Sequence, residues 1–243
     1  MEARDKFVMF ELGGGYAART VDAHAALQQH NPMPNKFVVV EAEPTHFEWA
    51  LRHMQTNGMD PEDHWMINAL VGTDNEPKIF LLGEGFYGNS IVSQNDIEQM
   101  ITNLRGDLTP ADVLRRLMLT ARCGVQQPYN MEDGTRHFDF GFVSSVPLKD
   151  ILQPFDYVDL MDVDIQGAER FVLPGSMAAI NKKVRRIHLA THGDDLHKDM
   201  WDLFFEHGWM CETDFAPDSH HQSPLGSFKN NDGILDLLNL SLA

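Results

Sequence analysis

Cysteine is nearly missing from this chain. Of 243 residues only Cys123 and Cys211 carry a thiol, far apart and outside any CxxC pair. That argues against a disulfide framework and fits a reducing compartment. Positive charge is scarce too, with 19 Lys and Arg against 36 Asp and Glu and a formal charge of -17. A field of that sign repels phosphate backbones and disfavours a nucleic-acid partner. No apolar run approaches the roughly 20 residues that a bilayer span needs, and Met1–Phe10 lacks a signal-peptide core. No internal repeat is visible. The expectation is a soluble, cytoplasmic protein with neither membrane nor nucleic-acid partners.

What is present is the material of one α/β domain: 43% of the residues are hydrophobic, enough for a full core. Lys6–Leu12 is an apolar run of strand length, followed at once by Gly13-Gly-Gly15 and a helical stretch over Tyr16–His30. Asn31-Pro-Met-Pro-Asn35 breaks that helix, and Phe37–Glu43 reads as a second buried strand ended by Pro44. Phe47, Ala50, Leu51 and Met54 then give an apolar stripe to a helix closed by Asn57-Gly58. Strand, glycine turn, helix, acidic-ended strand and helix make the first half of a doubly wound nucleotide fold. The first strand begins almost at Met1 with no helix before it, which suggests a shortened domain of something larger.

Further along, His64–Val71 and Lys78–Leu82 read as strands or a hairpin. Residues 84–140, mostly helical over Asp96–Cys123, are expected to form an insertion or lid outside the sheet. Tyr157–Ile165 is a strand whose following helix, from Ala168, is expected to stop at Pro174-Gly175. Val184–Ala190 is another strand. Leu196, Met200, Leu203 and Phe204 mark a helix, and Trp209–Phe215 and Ile234–Leu240 make a final strand pair. Between that pair, Ala216–Asp232 is rich in Pro, Ser, His and Asn and reads as a mobile loop.

Carboxylates gather where these strands end. Asp162 and Asp164 are spaced i, i+2, so the pleat places both on one face of their strand. Buried unpaired charge is expensive, so the pair belongs at the carboxyl end, where an open sheet binds ligands. A structural ion-pair network is the competing reading. Glu11 precedes a turn in which Gly13 and Gly15 allow backbone to approach a ligand, although close helix–sheet packing needs glycines as well. A pyrophosphate would meet repulsion from Glu11, whereas a cationic ligand would be attracted. Glu43, with Glu41 behind it, is placed to accept hydrogen bonds from ribose hydroxyls, or else to cap the next helix. His192 ends its strand on the same crevice as Asp164 and has the chemistry of a general base. Asp162 and Asp164, with His192, could also hold a hard cation such as Mg²⁺.

The run Leu160-Met-Asp-Val-Asp-Ile-Gln-Gly-Ala-Glu169, continuing to Val172-Leu-Pro-Gly175, resembles the signature of FkbM-type class I S-adenosylmethionine-dependent methyltransferases. Val40-Glu-Ala-Glu-Pro44, Asn57-Gly58, the Ser145–Leu152 lead-in and Thr191-His192 match the same family in the same order. The resemblance implies a Rossmann-like, doubly wound and mostly parallel seven-stranded sheet whose last strand is antiparallel. It implies S-adenosylmethionine as cofactor, held by Glu11, Gly13, Gly15, Glu43, Asn68 and Asp164. In two places this chain departs from the pattern: Asp162 stands where the family usually has Lys, and Gln166 where it has Glu. The implied activity is O-methylation of a sugar or polyketide-like hydroxyl on a small-molecule acceptor. The chemistry of the residues themselves, a base at the strand end beside a carboxylate, assigns the catalytic roles to His192 and Asp164. A nicotinamide-dependent oxidoreductase or epimerase is the rival on the same topology. Against it, none of Tyr16, Tyr87, Tyr129 and Tyr157 has Lys four residues later. A non-catalytic binding module is the third possibility.

Overall fold

Both faces of the second strand are apolar, and that dictates a sheet with helices on each side. In the computed structural model, which describes residues 5–82, 139–223 and 226–242, strand β2 (Asn35–Glu41) buries Phe37 and Val39 one way and Val38 and Val40 the other. The first pair packs with Met9 of β1 (Phe7–Leu12) beneath helices α1 (Ala18–His30) and α2 (Pro44–Thr56). The second pair joins a larger core under α3 (Leu148–Leu152), α4 (Glu169–Lys183) and α5 (Asp194–Glu206).

The remaining strands are β3 (Trp65–Asn68), β4 (Leu70–Gly72), β5 (Lys78–Leu82), β6 (Asp139–Val143), β7 (Ser145–Pro147), β8 (Val158–Val163), β9 (Val184–Thr191), β10 (Trp209–Phe215), β11 (His220–Ser223), β12 (Gly226–Lys229) and β13 (Gly233–Asn239). Seven of them form one sheet in the order β10-β13-β9-β8-β1-β2-β3. Pairing is parallel from β9 through β3. The last strand, β13, runs antiparallel between β9 and β10. The order reverses between β1 and β8, so the crevice of a doubly wound sheet opens above Leu12 and Val163. No helix among the described residues is long and apolar enough to cross a membrane.

Several expectations need correction. Helix α4 runs through Pro174 and Gly175 to Lys183. An interior proline costs roughly 3 kcal/mol, but Val172, Leu173, Met177 and Ile180 are all buried, each contributing about 1.5–3 kcal/mol. Packing outweighs the break. His64–Val71 is not one strand. The chain bends at Ala69, so β3 stays in the main sheet while β4 pairs with β7. Ala216–Asp232 contains the antiparallel pair β11–β12, and His221 and Phe228 close over Phe215 of β10. The helix expected over Asp96–Cys123, and nearly all of the segment 84–140, lie outside the described residues.

Candidate functional site

The exit of β1 touches the exit of β8. Gly13 has φ +79, and a Cβ there would lie 1.8 Å from the Asp164 carbonyl oxygen, so only glycine fits. Gly13 and Gly14 donate their N–H groups to the Val40 carbonyl at 2.9 and 3.0 Å. The N–H of Gly15 reaches Glu41 Oε2 at 2.7 Å. The glycine turn is thereby fastened to the end of β2 and seated on the end of β8. Above it lies a cleft of about 630 Å³, bounded by Glu41, Ala42 and Leu70 at one end and by Glu11, Arg19 and Asp162 at the other.

Glu11 is almost fully buried and accepts from the first turn of α1, through Arg19 N at 3.2 Å and Thr20 N at 2.8 Å. Burial pushes its carboxyl up to about 7 in spite of those bonds, and the negative charge of Asp162 adds to the rise. Asp162 is its cross-strand neighbour on β8. Burial pushes Asp162 up to about 6, with His188 and Arg19 opposing.

Glu43 does not reach the cleft. Strand β2 ends at Glu41, and Glu43 is already the N-cap of α2, its Oε2 accepting from His46 N at 2.7 Å. Capping has claimed the side chain assigned to ribose. Glu41 lines the cleft in its place, fixed by the N–H groups of Gly15 and Glu43. Its carboxyl too is raised by burial. Asn68 is likewise occupied, its Nδ2 bonding the carbonyl of Glu41 at 2.9 Å, so it ties β3 to β2 rather than lining the cleft.

At the mouth of β8, Gln166 holds φ +54 and Gly167 φ +91, making a tight, strained exit. Gln166 Nε2 donates to Asp164 Oδ1 at 2.8 Å. His192 Nε2 approaches the same oxygen at 3.3 Å, within ion-pair range but not aligned as a hydrogen bond. His192 Nδ1 lies 3.9 Å from Glu169 Oε1. Asp164 holds the imidazolium above its ordinary value against the opposing effect of burial. Glu169 is wholly buried; Oε1 accepts from Ile165 N at 2.9 Å, and Oε2 has no partner among the described residues. Burial raises its carboxyl.

Topology thus brings Asp164 and His192 together, as their strand ends require. The Asp162–Asp164 metal pair is corrected: Asp164 groups with Glu169 and His192, whose candidate ligand atoms lie within 4.8 Å of one another. Asp162 instead sits in register between Glu11 and His188. Sequence reasoning missed Glu169, Glu41 as the cleft-lining acid, and Arg19. The signal for Glu169 was its place in the helix-opening Gly-Ala-Glu, where a wholly buried acid needs a purpose.

No family model matches the chain. A candidate methyltransferase of Jannaschia sp. (strain CCS1) is 21% identical over 216 residues, covering 88% of this chain and 66% of that protein. The chain therefore spans just under two thirds of that relative's length. Among solved structures, methyltransferase FkbM from Methylobacillus flagellatus KT aligns with a TM-score of 0.52 at 10% identity, covering 98% of this chain and 44% of that one. Precorrin-6Y C5,15-methyltransferase from Geobacter metallireducens GS-15 gives a TM-score of 0.46, also at 10% identity, over 98% and 81% of the two chains. The likeness to FkbM speaks for architecture: the chain has the Rossmann-like fold of class I methyltransferases.

Proposed function

We propose that this chain is an S-adenosylmethionine-dependent methyltransferase of the FkbM type that methylates a hydroxyl of a cytoplasmic small molecule, a sugar or polyketide-like acceptor. The observation that carries this reading is the acid-lined cleft over a glycine turn whose Gly13 leaves no room for a Cβ. The donor sets suit the cofactor. Glu41, at the end of β2, keeps lone pairs for a ribose diol, and Asp162 and Asp164 favour a cationic ligand. A nicotinamide dinucleotide would bring its pyrophosphate against the same carboxylates. The Jannaschia relative and the FkbM likeness support the reading.

The cofactor, when bound, supplies an electrophilic methyl on a cationic sulfur. The chain's own residues align the acceptor and exclude water. His192 takes the proton of the acceptor hydroxyl, while Asp164 steadies the imidazolium that results. The same cluster could hold Mg²⁺ through Asp164 and Glu169, and the unpartnered Glu169 oxygen favours that second reading. A nitrogen ligand suits Mg²⁺ poorly, so the base role is preferred.

Isothermal calorimetry with S-adenosylmethionine and S-adenosylhomocysteine, followed by labelled-methyl transfer to candidate acceptors, tests the proposal. Saturable binding of both ligands, with transfer that survives EDTA, is the expected outcome. Failure of both to bind would end it.

A further inference from the structure

Asp162 is a loose end. It is only 7% exposed and lines the cleft, yet no described residue donates a hydrogen bond to it, and its neighbours act on it through charge alone. The groups beside it are committed elsewhere. Glu11 accepts from the backbone of α1. His188, its register partner on β9, directs Nδ1 to Asp236 at 2.6 Å. His188 and Arg19 offset part of its charge, but no donor among the described residues reaches its oxygens, so a cationic donor in the cleft would complete it.

The cleft indicates where that cation comes from. With the ribose at Glu41 and the base toward Ala69 and Leu70, the rest of the ligand must cross the Gly13–Gly15 turn toward β8. Asp162 and Arg19 line the cleft there, one anionic and one cationic, a match for the two charges of an amino-acid tail.

We infer that Asp162 receives the ammonium group of the cofactor's amino-acid tail, with Arg19 on the side of its carboxylate. The inference rests on the proposed cofactor, and the experiment separates the two. Calorimetry on the full chain compares S-adenosylhomocysteine, its deamino analogue, which lacks only the ammonium group, and 5′-methylthioadenosine, which lacks the whole tail. Wild type should bind S-adenosylhomocysteine about tenfold or more tighter than the deamino analogue, the ordinary contribution of a hydrogen bond to a charged group. Asp162→Asn should remove most of that preference and leave 5′-methylthioadenosine within about twofold, since that ligand never reaches the subsite. Equal binding of S-adenosylhomocysteine and its deamino analogue by wild type would overturn the inference with no variant needed. So would an Asp162→Asn protein that keeps the preference or loses affinity for all three ligands alike. If wild type binds none of them, the cofactor reading itself has failed.

Discussion

Around β1 and β2, carboxylates give their oxygens to backbone N–H groups: Glu11 to Arg19 and Thr20, Glu41 to Gly15 and Glu43, and Glu43 to His46. Around β8 and β9 the polar groups are left open. Asp162 accepts no hydrogen bond from a described residue, Glu169 keeps one oxygen unpartnered, and both ring nitrogens of His192 are buried without one. Buried polar atoms are almost always satisfied. Of these open groups Asp162 lines the cleft, whereas Glu169 and His192, outside its lining, cluster with Asp164. Thr20 Oγ1 and His24 Nδ1 of α1 are likewise buried without a partner among the described residues. The first region is a rigid cradle. The second leaves more of its polar atoms without partners.

The largest expected effect tests the open side. His192→Ala should lower single-turnover methyl transfer by about 10²–10⁴-fold, the usual range for a general base, with S-adenosylhomocysteine affinity within about twofold of wild type. A parallel loss of cofactor affinity would make His192 part of the cradle and erase the distinction.

Next comes the pH dependence of the cradle. The carboxyl of Glu11 rises from 4.5 to about 7 on folding, so the folded state favours its protonated form. Its stabilising contribution is complete below pH 4.5 and lost as pH rises toward 7, amounting to roughly 3 kcal/mol. His188 and His192, whose values are also raised, act with the same sign in the upper part of that window. Urea titrations of the ligand-free protein should show stability falling as the pH rises from about 5 to about 8. Glu11→Gln should flatten the slope; an unchanged slope would locate the effect elsewhere.

The smallest effect separates Glu41, the last residue of β2, from Glu43, the N-cap of α2. Glu43→Ala should cost about 1 kcal/mol in denaturation, as loss of an N-cap does, and leave cofactor affinity unchanged. Glu41→Ala should weaken cofactor binding about tenfold or more. The reverse pattern would return the ribose contact to Glu43.

Much of the architecture was legible in the residues because its causes are local. Apolar runs of strand length, a glycine turn at the first strand's exit and helical stripes at Ala50 and Met54 or Leu196 and Met200 each signal through nearest neighbours along the chain. The meeting of Asp164 with His192 was also readable, since both end strands that open on one crevice. Other features depend on contacts between distant segments. Pro174 stays within α4 because the sheet buries residues on either side of it, and β11–β12 forms because Phe215 offers a surface to close on.

The sequence by itself determined that a doubly wound sheet would gather carboxylates at its mouth, because strand periodicity and the positions of the strand ends are properties of the chain taken in order. Only the tertiary structure decided which carboxylates remain open to a ligand. Glu41 and Glu43 are two residues apart and chemically identical, yet the start of α2 claims one and the cleft receives the other. Asp162 and Asp164 diverge in the same way: one is set against Glu11 by strand register, the other against His192 by a strained turn. Hydrogen-bond partners from other segments make that choice, and periodicity along one strand cannot specify them.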